Sequence, residues 1–250
     1  MALQEELESQ GNFLFRYRGT LPLIILAVGL IVFALDIYQN RWLEKTWLVQ
    51  NVNFIAIAIC MLGVFIRAYT VGYTPANTSG RNTVGQLADE LNTTGIYSTV
   101  RHPLYVGNFF MWLGVAVITM NFWFIIAFVL FYWIYYERIM FAEEQFLRGK
   151  FGETYQVWAK KTPAFIPSFT AWQKPKMSFS WRKVLKKEKN GFFAVFLVIL
   201  IFETVRDFIE KKIYIIDELW LIICVVVSGL LYLVLKIIKK NTRWLDEEGR

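Results

Sequence analysis

Hydrophobic and polar positions fall into long continuous blocks, not into the alternation of a half-buried strand. Apolar runs occupy residues 21–38 and 52–73, and a 33-residue run covers residues 104–136. A bilayer crossing needs about 20 mostly apolar residues, so the third run is too long for one ordinary span. Asn121 interrupts it, which predicts a tight hairpin of two short spans, residues 104–120 and 122–136. A further run starts at Phe192 but soon meets Glu203 and Arg206, and a last one covers residues 219–235. Continuous runs favour helices over a membrane barrel, whose strands would alternate. The pattern therefore predicts an all-α integral membrane protein with about six transmembrane helices.

Composition agrees. Hydrophobic residues make up 56% and aromatic residues 18%, while charged residues reach only 19%, against about 25% in an average soluble domain. An ordinary soluble enzyme, a disordered tail and a secreted disulfide scaffold are poor fits. Cys60 and Cys224 lie far apart inside apolar runs, without metal-ligand or disulfide spacing, and His102 is the single histidine. No metal site is expected. With a net charge of +7, the expected partner is an anionic membrane surface and not nucleic acid.

With the N-terminus placed in the cytoplasm, 20 of the 27 basic residues fall on that side and five, Arg41, Lys45, Arg206, Lys211 and Lys212, on the other. This asymmetry predicts six spans with both termini inside. Trp42, Trp47, Trp123 and Trp220 lie near span ends, as an interfacial belt requires. Glu5, Glu6 and Glu8 replace the basic region of a cleavable signal. The basic stretch 174–189, flanked by Trp172 and containing Phe179 and Trp181, is expected to act as a positive-inside stop signal in preference to a headgroup-binding surface.

Two cytoplasmic segments are unlike ordinary loops. In residues 92–107, NTTGIYSTVRHPLYVG, Arg101 and His102 stand just before Pro103, a residue suited to the first turn of a helix. A helix N-terminus, an arginine and a histidine together favour an anion; a capped membrane helix with an interfacial Arg-His pair is the equal alternative. In residues 137–167 the chain is expected to continue as a helix through residues 141–150, carrying the adjacent acids Glu143 and Glu144 near the bilayer boundary. Arg148, one turn on, is the expected partner of Glu144; a ligand ammonium or sulfonium is the alternative. Arg67, near the cytoplasmic end of the second span, either snorkels to the interface or points inward to hold an anionic group.

Taken together, these residues resemble a known group. Gly95, Tyr97, Arg101, His102, Pro103, Tyr105 and Gly107 are followed, after the hairpin, by Glu143, Glu144, Leu147, Phe151, Gly152, Tyr155, Trp158, Pro163, Phe165, Ile166 and Pro167. This pattern, from about Arg67 to Pro167, is similar to that of the isoprenylcysteine carboxyl methyltransferase and phospholipid methyltransferase superfamily. The resemblance implies an S-adenosylmethionine-dependent membrane methyltransferase with a cytoplasmic cofactor-binding cap, its cofactor enclosed by Gly95, Tyr97, Arg101, His102, Pro103, Tyr105, Gly107, Glu143 and Glu144. It also implies a methyltransferase core at 67–170, between N-terminal helices at 1–66 and a basic linker with a C-terminal hairpin at 171–250.

Four features depart from the family pattern: Ile96 where proline is common, Ala164 near the last proline pair, a long polar stretch between Gly72 and Gly95, and a continuation past Pro167 with an apparent extra hairpin. They bear on the acceptor and not on the cofactor. Because an anionic or free-amine acceptor needs little acid–base help, no catalytic residue is assigned. Arg67 and Arg81 are the candidate substrate-binding residues, and the polar stretch resembles that of bacterial relatives proposed to methylate the 1-phosphate of lipid A. That ranks a lipid phosphate first, another phospholipid headgroup second and a prenylcysteine carboxylate third, in a bacterial inner membrane. An NADPH-dependent membrane reductase and a non-enzymatic membrane protein are the rival classes. Oligomeric state is not legible.

Overall fold

The computed structural model describes residues 2–39, 46–76, 78, 86–212 and 218–250. These form seven α-helices: α1 (Leu3–Arg16), α2 (Leu21–Tyr38), α3 (Trp47–Gly72), α4 (Pro103–Ile118), α5 (Phe122–Lys161), α6 (Trp181–Lys211) and α7 (Leu219–Asn241). Among the described residues, α3, α5 and α7 are long and apolar enough to cross a membrane, and α2 and α4 are shorter apolar helices. Large apolar side chains such as Leu23, Ile31, Phe65, Leu130, Ile223, Val227 and Ile237 stand exposed on these helices. An apolar surface of this extent marks a chain built to sit in a membrane.

Local chemistry sets the helix starts. Thr46 caps α3 by accepting from the Val49 amide, Asn121 caps α5 by accepting from Phe124, and Ser180 caps α6 by accepting from Lys183. Asn121 thus turns the chain between α4 and α5 where the apolar run is broken. The same side chain donates to Asp36 Oδ2 at 2.6 Å, which ties the hairpin to α2.

One core cluster joins Phe33 and Ile37 of α2, Ala56, Cys60 and Val64 of α3, Val115 and Ile118 of α4, Val195, Ile199 and Phe202 of α6, and Leu221 of α7. The charges of α6 are accommodated beside it. Glu203 is fully buried, accepts from Asn53 Nδ2 at 2.8 Å and pairs with Arg206, while Asp207 pairs with Lys211 at 2.7 Å. The second half of the basic stretch 174–189 is the first part of α6, and Lys183, Glu188 and Lys189 are buried there.

Hydropathy gives no sign of α1. This polar helix lies on the extension of α5: a Cβ on Gly11 would sit 2.1 Å from the Arg138 carbonyl oxygen, so the two backbones touch. Arg138 donates to Gln10 and the Tyr135 hydroxyl donates to the Leu14 carbonyl. Phe15 enters a second, aromatic core with Tyr105, Phe128, Tyr132, Tyr135 and Tyr136.

Candidate active site

Gly95 begins the segment that leads into α4. Its φ of +62° and ψ of −136° lie in a region essentially closed to other residues. Gly95 N donates to the Gln173 carbonyl, and Gln173 N returns a bond to Ser98 Oγ, each at 2.9 Å. After a 3₁₀ turn at Ile96–Ser98, the amides of Arg101 and His102 donate to the carbonyls of Pro163 and Ala164 at 2.8 and 3.2 Å. The two motif segments, some sixty residues apart, are therefore zipped together by their backbones before any side chain contributes.

Arg101 fastens this junction. It grips Glu144 through Nε and Nη2, at 2.8 and 3.2 Å, and donates from Nη1 to the carbonyls of Ala159 and Thr162, both at 2.8 Å. Those carbonyls belong to the C-terminal end of α5, where a cation is favoured. They come within reach because α5 is broken at Gly152, whose φ of +53° and ψ of −126° redirect the last helical turns. Glu144 is thus held by Arg101 and His102, from across the fold, and not by Arg148.

His102 lies between both acids, with Nε2 2.9 Å from Glu144 Oε1 and Nδ1 3.4 Å from Glu143 Oε2. Burial works against its charged form, but the hydrogen bonds and charges of the two glutamates prevail, and its pKa is raised above 6.5. Burial likewise opposes ionisation of Glu144, yet His102 and Arg101 lower its pKa to about 2. The two carboxylates thus favour the protonated ring, which stacks on Tyr105 at a centroid distance of 5.6 Å.

A second network lies one to two turns further along α4. Arg67 forms a fork with both oxygens of Glu188 at 2.8 Å and donates to Asn108 Oδ1 at 2.6 Å. Asn108 reaches the Tyr136 hydroxyl at 3.4 Å. Arg67 points into the bundle, and the anionic group it holds is Glu188 of α6. Close approach of α3 and α4 permits this: a Cβ on Gly107 would lie 2.5 Å from Arg67 Cγ, and one on Gly63 would lie 2.4 Å from the Gly107 oxygen.

Both networks line one cavity of ≈ 730 Å³, within the 300–1,000 Å³ range usual for small-molecule sites. Tyr97, Arg101, His102, Pro103, Tyr105, Glu143 and Arg67 all border it; Gly95, Gly107 and Glu144 do not, and act behind the wall. Arg81 lies outside the described residues. Leu87, Leu91 and Trp158 add apolar surface, and Arg18, Lys187 and Glu188 add charge. The Tyr105 hydroxyl is buried and has no hydrogen-bond partner among the described residues. Sequence reading missed Asn108, Glu188, Arg18 and Lys187. Asn108 carried a usable signal, a polar residue inside an apolar run; Lys187 and Glu188 fell within the basic stretch 174–189 but were not singled out from it.

Comparison with known proteins fits this geometry. The sequence model of the phospholipid methyltransferase family matches residues 52–154, which hold Arg67, the Arg-His-Pro segment and both glutamates. Nickel-cobalt-cadmium resistance protein NccN of Alcaligenes xylosoxydans xylosoxydans is 31% identical over 62% of this chain and 67% of its own length. The protein-S-isoprenylcysteine O-methyltransferase of Schizosaccharomyces pombe is 42% identical over 31% of this chain and 33% of its own, and that of Tribolium castaneum is 29% identical over 55% and 48%. The chain thus spans about two thirds of the resistance protein, but half or less of these two methyltransferases. No solved structure matches. The chain belongs to the isoprenylcysteine carboxyl methyltransferase and phospholipid methyltransferase superfamily, a family of membrane methyltransferases.

Proposed function

We propose that this protein is an S-adenosylmethionine-dependent methyltransferase that modifies an anionic oxygen of a membrane-anchored acceptor, a lipid phosphate of the lipid A 1-phosphate type in first place. In this reading α2 to α7 cross a bacterial inner membrane six times, both termini and the site face the cytoplasm, and residues 67–170 form the catalytic core. The remaining segments, α1 and the basic linker with its C-terminal hairpin, complete the cap and the bundle. The observation that carries the reading is the convergence on one cavity of the start of α4, the Glu143 carboxylate and the unpartnered Tyr105 hydroxyl.

S-adenosylmethionine supplies an electrophilic methyl group on a sulfonium. The residues fit its parts. Glu143 lines the cavity while Glu144 does not, so Glu143 accepts from the ammonium and Glu144 holds Arg101 and His102 in place. The positive end of the α4 dipole suits the carboxylate, and Tyr105 offers a hydroxyl. Tyr97, Leu87, Leu91 and Trp158 give an apolar slot for adenine. An anionic acceptor oxygen needs no general base; positioning and exclusion of water suffice.

A prenylcysteine carboxylate is the second reading, favoured by the isoprenylcysteine O-methyltransferases among the relatives. Both readings are tested together by incubating the purified protein in nanodiscs with methyl-labelled S-adenosylmethionine and native membranes. Label in a lipid that carries a phosphate methyl ester supports the first reading. Base-labile label in prenylated protein supports the second. No label in any fraction, with no donor binding, overturns both.

A further inference from the structure

The helix α6 lies outside the segment 52–154 matched by the family model, yet it supplies a side chain to the cavity wall. Glu188 is buried, and its two oxygens accept from Arg67 Nε and Nη2. Asn108 Oδ1 accepts from Arg67 Nη1. Arg67, Asn108, Tyr136 and Glu188 all border the cavity. A guanidinium carries five N–H groups in a rigid fork. Glu188 takes two and Asn108 one, so among the described residues each Nη keeps one further N–H. Arg67 thus meets the cavity with its direction fixed from two sides and its charge balanced by its neighbour. A buried ion pair adds little stability over apolar side chains of the same volume, so stability alone does not account for a charged pair at this place.

We infer that Glu188 is a positioning residue for methyl transfer: it aims Arg67 at the anionic oxygen of the acceptor and tempers the arginine's charge, so that this oxygen stays nucleophilic. The inference rests on the methyltransferase reading and deepens it. In the transfer from S-adenosylmethionine, a lone pair of the acceptor oxygen forms the new O–CH3 bond. The S–CH3 bond breaks and its electron pair stays on sulfur. The negative charge of the oxyanion and the positive charge of the sulfonium vanish together, and no proton moves. A full cation held against the oxyanion would stabilise the reactants more than the transition state, and so slow the step. An arginine that carries its own carboxylate keeps the directional N–H bonds and loses most of that penalty. Glu188 also gives α6, and the C-terminal hairpin it belongs to, a part in the chemistry.

The test uses the full chain in nanodiscs and two anionic probes, fluorescent phosphatidic acid for a lipid phosphate and fluorescent S-farnesylcysteine for a prenylcysteine carboxylate. Glu188→Gln keeps the shape of the pair and removes its negative charge; Arg67→Gln removes the positive one. The two variants are expected to move affinity for the anionic probe in opposite directions, Glu188→Gln tighter and Arg67→Gln weaker, each by about tenfold, the scale of one charge-assisted contact. The probe that responds identifies the anion as phosphate or carboxylate. With that probe and methyl-labelled S-adenosylmethionine, Glu188→Gln lowers KM and kcat together, the mark of a reactant state held too tightly. Glu188→Asp, which keeps the charge, stays closer to wild type in both. S-adenosylmethionine affinity is unchanged throughout. If Glu188→Gln alone does not fold, the double variant Arg67→Gln/Glu188→Gln is compared with Arg67→Gln and must bind the probe more tightly, because an uncompensated carboxylate has gone. Affinity that falls in both single variants, or moves in neither, makes the pair structural and overturns the inference, as does a wild type that binds S-adenosylmethionine but neither probe; the methyltransferase reading then still stands. A wild type that binds no S-adenosylmethionine overturns that reading, and the role of Glu188 falls with it.

Discussion

Glu143 and Glu144 are neighbours in sequence with different partners in space. Glu144 accepts from Arg101 and His102, whereas Glu143 lies 3.4 Å from the other ring nitrogen of His102 and borders the cavity. Their neutral variants should separate. Glu143→Gln is expected to weaken S-adenosylmethionine binding about ten- to hundredfold by calorimetry, with little change in Tm, because a charge-assisted hydrogen bond contributes about 1.5–3 kcal/mol. Glu144→Gln is expected to lower Tm as well, since it strips two cations of their acceptor. Proton linkage gives a further expectation. The raised pKa of His102 makes its contribution complete below about pH 6.5 and lost as pH rises through the folded-state value. Glu144, lowered from 4.5 to about 2, contributes above 4.5 and fails only as pH falls towards 2. Thermal stability in detergent should therefore hold level between pH 5 and 6.5 and decline above it. His102→Gln should remove that decline; an equal decline in the variant would locate its cause elsewhere.

Among the helices, the contact between α3 and α4 decides whether the site can form, because α3 carries Arg67 and α4 carries His102, Tyr105 and Asn108. Gly→Ala in a helix normally stabilises by about 0.5–1 kcal/mol. At Gly63 the added Cβ would meet backbone, the Gly107 oxygen at 2.4 Å and the Met111 nitrogen at 2.7 Å, so the helices must part, and overpacking of this kind costs about 1–3 kcal/mol. Gly63→Ala should lower Tm and weaken donor binding together. Gly149→Ala, with nothing within 4 Å of the new atom, should raise Tm slightly. Much at this scale was legible: the apolar runs correspond to α2, α3, α4, α5 and α7, and the break at Asn121 is the turn between α4 and α5. The helix α1 was not, because its apolar contacts are few and its fit depends on Gly11 against Arg138. Nor could local spacing pair Arg67 with Glu188, 121 residues away. Motif order drew Arg101, His102 and the glutamates to one place, but it could not say that Arg101, His102 and Glu144 would be satisfied by one another before any ligand enters.

For the whole molecule, the number of crossings is an argument about length. α4 has 16 residues, about 24 Å of helix, against a hydrocarbon layer of about 30 Å. Its shortfall lies at the N-terminus, where His102 and the polar cavity replace lipid, so a short span is tolerable there and would be costly in a helix surrounded by acyl chains. For α6 to cross, its charges must be accommodated, and Glu203, Arg206 and Asp207 are paired near its end. If α2 to α7 all cross, the two ends of the chain lie on one side; if only α3, α5 and α7 cross, they lie on opposite sides. Single cysteines in a background lacking Cys60 and Cys224 decide between these. Cysteines at Gln4, Lys174 and Glu248 should react with a membrane-impermeant maleimide from the cytoplasmic side, and cysteines at Trp47, Phe122 and Leu219 from the other side. Labelling of positions 4 and 248 from opposite faces would reduce the bundle to an odd number of crossings.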